Sequence, residues 1–139
     1  MRELADVLRD ELAAVRELLA VGRQEQEALM TDDLAGIRAA TGRKGELARR
    51  LAVLEEERQQ AMEASPETSA AGPPASRQNS REDDEVNRLR DALRQAVREF
   101  QEINETNRLL ARQSLAYVQK MLSLLLPEGS GPGIMDRLV

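Results

Sequence analysis

Apolar residues along this chain recur at alternating steps of three and four, the mark of helices that pack lengthwise against other helices. The longest run is Val86, Leu89, Leu93, Ala96, Phe100, Ile103, Asn107, Leu110, Ser114, Tyr117, Met121 and Leu124. No Gly or Pro interrupts residues 82–126, and the intervening positions carry Arg, Glu, Gln and Asp, so the stretch predicts one continuous helix of roughly 65 Å. A second run, Ala5, Leu8, Leu12, Val15, Leu19, Gly22, Gln26 and Leu29, is flanked by Leu4, Val7 and Leu18 and predicts a helix over 3–30. Arg2, Arg9, Arg16 and Arg23 recur every seven residues beside it as a solvated stripe. A third run, Ile37, Ala40, Lys44, Leu47, Leu51, Leu54, Arg58 and Ala61, predicts a helix over 32–63, opened by the capping oxygens of Thr31, Asp32 and Asp33.

The breaks between these runs set the topology. The connection near Asp32 is short, which makes the first two helices antiparallel neighbours. Gly36, Gly42 and Gly45 each cost about 1 kcal/mol in a helix interior, so the second helix is expected to kink or loosen between Gly42 and Gly45. Gly22 predicts either a close backbone approach or thin packing near the end of the first helix. Residues 64–81 are rich in Ser, Pro, Gly and Ala and read as a flexible linker with a reach of ~23 Å, Ser80 capping the long helix behind it. Pro127 and the glycines that follow end the long helix, and 127–139 form a flexible tail that dangles or docks. The expected fold is all-α: a single domain over 1–126, built as an elongated antiparallel bundle of three long helices, a segmented coiled coil whose third helix is the longest.

Composition narrows the function. One Phe, one Tyr and no Trp exclude the bulky core of a mixed α/β domain. With no His and no Cys, the commonest general base, thiolate ligands and disulfides are all missing, so catalysis, cofactors and metal sites are disfavoured. Glu99, Glu102 and Glu105 stand among Arg98, Arg108 and Arg112 and read as a solvated ion-pair face rather than a metal cluster. Arg88, Arg90, Arg94 and Arg98 are interleaved with Asp91 and Glu99 in a chain of net charge -5, which argues against nucleic acid. No apolar run approaches the ~18 residues of a membrane span, and the expectation is a soluble cytoplasmic protein.

The lengths do not match. Roughly 15 residues, ~22 Å, of the third helix outrun the other two. Its C-terminal half is apolar nearly all round, where a helix packed on one side needs only a stripe. The surplus makes a candidate binding surface whose members are Asn107, Leu110, Leu115, Val118, Met121, Leu122 and Leu125, although core packing is the expectation for any one leucine alone. Polar residues also interrupt the seams: Lys44 and Arg58, whose stems are expected to snorkel to water, and Asn107, whose replacement by Leu is expected to stabilise the fold and loosen partner choice. The competing reading is a structural coiled-coil protein that homo-oligomerises through the C-terminal half of its third helix.

Several segments carry a resemblance. Leu18-Leu19, Glu25, Ala28-Leu29, Asp32, Leu34, Lys44, Leu47, Leu51, Leu54-Glu55 and Arg58 in the first half, and Asn104-Glu105-Thr106-Asn107-Arg108-Leu109-Leu110 with Ser114-Leu115 and Tyr117 in the second, resemble the FlgN family of bacterial flagellar export chaperones. The resemblance implies a cytoplasmic chaperone that keeps hook-associated proteins unassembled and delivers them to the export gate or its ATPase. It further implies that the second half of the long helix and the tail hold the client's C-terminal helical segment.

Overall fold

The structure, a computed structural model, describes residues 2–64 and 77–126, with side chains from Arg81 onward in the second segment. The chain is all-α, with α1 over Leu4–Met30, α2 over Leu34–Ala64 and α3 over Arg77–Leu125. At 49 residues α3 is the longest, against 27 and 31 for its companions. It begins earlier than expected, so Ser80 lies inside the helix instead of capping it. Arg77-Gln78-Asn79-Ser80-Arg81 holds no breaker, and once a helix exists each further residue adds a hydrogen bond at little cost. The expected linker, for 65–76, and the expected tail, 127–139, lie outside the described residues.

The turn between α1 and α2 shows why the chain reverses there. Asp32 takes the left-handed conformation at φ 55, and the Asp33 N–H reaches back to the Ala28 carbonyl at 2.9 Å, closing α1 with the 6→1 bond of a Schellman cap. The Asp33 side chain then accepts the Gly36 N–H at 3.0 Å, opening α2. One aspartate ends one helix and starts the next. Gly36, counted in the sequence as a weakness, makes room here, since a Cβ at that position would stand 2.6 Å from Asp33 Oδ2 and 3.0 Å from Ala28 Cβ and press on the capping carboxylate. α2 runs through Gly42 and Gly45 without leaving the α-helical state.

Ion pairs give the directions. Arg2 meets Glu57 at 3.1 Å and Lys44 meets Glu25 at 2.6 Å, so α1 and α2 are antiparallel. Arg9 pairs with Glu85 and Asn107 with Gly22, so α3 returns parallel to α1 in an up-down-up bundle.

The core centres on α1 rather than on the long helix. The sequence showed one seam along α1 with a flank; the structure shows two full seams. Leu12, Val15 and Leu19 cluster with Ala96, against which Leu89, Leu93, Phe100 and Ile103 of α3 also pack. Leu18 and Val21, one step round the helix, cluster with Ala40 and Leu47 of α2. Among the described residues no Cα of α2 comes within 8 Å of one in α3. A helix with a neighbour on each of two sides needs two apolar stripes, and α1 alone carries both over its whole length. Burying each of Val7, Leu8 and Leu47, the most enclosed side chains, contributes about 1.5–3 kcal/mol.

Candidate functional site

Two polar clusters lie inside the bundle, and both sit on the α1 seam that faces α2. In the larger one, Glu25 Oε1 accepts from Lys44 Nζ at 2.6 Å and from Asn107 Nδ2 at 2.9 Å. Lys44 also donates to Asn104 Oδ1 at 2.6 Å and rides 5.7 Å above the Phe100 ring, while Asn107 donates to the Gly22 carbonyl at 2.8 Å. All three helices meet at this point. Gly22 permits it: a Cβ there would lie 3.0 Å from Ile103 Cγ2, so the close approach foreseen at this glycine is what lets Asn107 reach the α1 backbone.

The second cluster is looser. Arg58 pairs with Glu55 and comes within 3.6 Å of Glu11, yet Glu11 Oε1 and Arg58 Nε lie buried without hydrogen-bond partners among the described residues. Burial pushes the Glu11 carboxyl above the ordinary glutamate range; Arg58 opposes the shift and Glu55 adds to it. Lys44 therefore does not snorkel to open water but is directed at Glu25 of α1, whereas the half-buried Arg58 lays its Nε near Glu11 and turns its guanidinium tip to Glu55 of its own helix, on the more exposed side. Glu11 and Glu25 are two heptads apart, as are Lys44 and Arg58, so one antiparallel register satisfies both pairs. A slip of one heptad would set Lys44 against Leu18 and Leu51 against Glu11, burying charge beside hydrocarbon. The sequence reading marked the two bases and missed their acids. The signal was present, because Glu11 and Glu25 fall on the 3,4 alternation Val7, Glu11, Ala14, Leu18, Val21, Glu25 and Ala28, all buried.

Beyond Asn107 the environment changes. Asn107 stands opposite Gly22 and Glu25, so α1, ending at Met30, runs out near residue 112 of α3. The remaining stretch to Leu125 projects about 20 Å past the bundle. At the other end α3 also starts ahead of α1, since Arg77 precedes Glu85 by more residues than Leu4 precedes Arg9. The larger share of the surplus length is the apolar stretch past residue 112.

The residues singled out from the sequence divide accordingly. Asn107 is 2 % exposed and belongs to the internal network, not to an outer face, because both of its donor contacts are to α1. Leu110 and Leu122 are half-buried. Leu115, Val118, Met121 and Leu125 are exposed, and so are Leu109, Tyr117 and Leu124, with Leu124 at 71 % and Leu125 at 74 %. Core packing, the expectation for each leucine taken singly, does not hold for Leu109, exposed on the outer side of α3, or for Leu115, Leu124 and Leu125, beside which no described helix stands. No described helix is long and apolar enough to cross a membrane.

No match was found among curated proteins or among solved structures. The family model described as FlgN protein matches residues 1–134, nearly the whole chain, including the helix turn, the buried network and the projecting end of α3. The chain belongs to the FlgN family, the flagellar export chaperones.

Proposed function

We propose that this protein is a cytoplasmic chaperone that holds the C-terminal helical segment of a flagellar hook-associated protein against the projecting end of α3. Held there, the client is kept from assembling until it passes to the export apparatus. The observation that carries the reading is a regular helix whose last four turns keep Leu115, Val118, Met121 and Leu125 exposed while the same helix is packed further back. An apolar helical face of this kind suits an amphipathic helix laid lengthwise upon it. The family supplies the class of protein; the exposed apolar face supports this choice of place.

The test is a capture experiment from the cytosol of a motile bacterium with three baits: the full chain, the chain ending at Leu110, and the Leu115→Asp, Leu122→Asp double variant. Hook-associated proteins are expected with the first bait alone, and circular dichroism should show the double variant as helical as the parent. Equal recovery by all three would place the client elsewhere. The same exposed face also suits self-association, so light scattering belongs beside the capture. A tight oligomer that no client displaces would replace the chaperone reading by a structural one.

A further inference from the structure

The projecting end of α3 carries two apolar seams, and each continues a lane that the bundle itself has established. Ile103 packs into the α1 interface and Asn107 bonds to α1. Heptad steps onward from them give Leu110, Ser114, Tyr117, Met121 and Leu124. On the side of α3 that meets α2, Asn104 takes the Lys44 ammonium. Heptad steps from Asn104 give Ala111, Val118 and Leu125, with Leu115 and Leu122 between them. The two seams lie about 100° apart around the helix. Among the described residues the first is the lane of α1, unfilled past Met30, and the second lies on the side from which Lys44 of α2 reaches α3, unfilled before Leu34.

The floor of each lane is apolar as well. Met30, the last residue of α1, and Leu34, the first of α2, are both about 70 % exposed at the end of the bundle. Charge adds a third feature: residues 106–126 contain Arg108, Arg112 and Lys120 and no Asp or Glu, in a chain of net charge -5.

Resting on the proposed chaperone reading, we infer that the occupant of this site is a pair of side-by-side amphipathic helices of the client, with acidic edges, which completes end-on the three-helix bundle that α1 and α2 leave unfinished. A single helix would fill one seam and leave the other wet. Two helices fill both, stand on Met30 and Leu34, and bring carboxylates to Arg112 and Lys120.

The chain contains no cysteine, so single-cysteine reporters are clean. Tyr117→Cys and Leu124→Cys report the first lane, Val118→Cys and Leu125→Cys the second, and Gln113→Cys the polar side. Maleimide labelling rates would be measured on the full chain with and without a purified hook-associated protein. Expected is at least tenfold slowing at all four lane sites and little change at Gln113→Cys, with protection weakening as salt is raised. Slowing in one lane only would overturn the two-helix inference and leave the chaperone reading intact. Slowing in neither lane, with client bound, would overturn both. Rates already slow without client, and rising on dilution, would assign the lanes to a second copy of this chain and overturn the inference.

Discussion

Two stretches of α3 share one spacing and meet opposite fates. Between Val86 and Leu110 the 3,4 seam is buried or half-buried against α1, with Ala96 and Asn107 fully enclosed; from Tyr117 to Leu124 the same seam stands in the open. Neither helix propensity nor periodicity changes at the boundary. What changes is the neighbour, since α1 ends at Met30. A seam in a sequence therefore announces that a helix is wanted beside it, and whether the same chain provides that helix is a separate matter.

The contrast can be broken most directly by truncating one leucine on each side. Leu19→Ala, in the cluster with Ala96, is expected to cost about 2–5 kcal/mol in urea unfolding, and Leu124→Ala at most about 0.5. Equal losses would mean that the projecting end is part of the folding core.

Asn107 marks the last covered polar position, and its contacts reverse the expectation drawn from the sequence. Replacement by Leu strips Gly22 and Glu25 of a donor inside the bundle, so Asn107→Leu should destabilise by about 2 kcal/mol rather than stabilise. A raised Tm would show that packing outweighs the network.

Glycines sharpen the same contrast between occupied and empty neighbourhoods. Gly22→Ala would press a Cβ against Ile103 and should cost roughly 1–2 kcal/mol. Gly42 faces nothing within 4 Å, and Gly42→Ala should gain up to about 1 kcal/mol from helix propensity. Thermal melts of the two variants should move in opposite directions.

The smallest expected effect depends on pH. Glu11 holds its proton to higher pH in the fold than in the unfolded chain, so it favours folding most at acid pH, and that contribution is lost as pH rises through its raised value. Glu11→Gln keeps the neutral shape. It should raise Tm at pH 7 and leave it unchanged below the ordinary glutamate range; a lower Tm at pH 7 would mean that attraction to Arg58 outweighs burial.

Much of this was legible in the residues. The three runs, the Asp32 break and the surplus length of the last helix all follow from spacing and from Gly and Pro placement. The bases Lys44 and Arg58 were visible as interruptions of a seam. Glu11 and Glu25 also fall on a 3,4 alternation, yet on α1 they pass for solvated charges until a second neighbour is known to lie on that face. The start of α3 was misplaced for a related reason: Ser80 can cap a helix or sit within one, and only the conformation of the residues before it decides.

The sequence by itself determined that three amphipathic helices form and that the last outlasts the others, because helical period and chain breaks are local properties of the backbone. The tertiary structure alone decided that α1 stands between the other two, that Asn107 is enclosed, and that Leu115, Leu124 and Leu125 are left open. Burial belongs to pairs of helices, and it depends on where one ends relative to another.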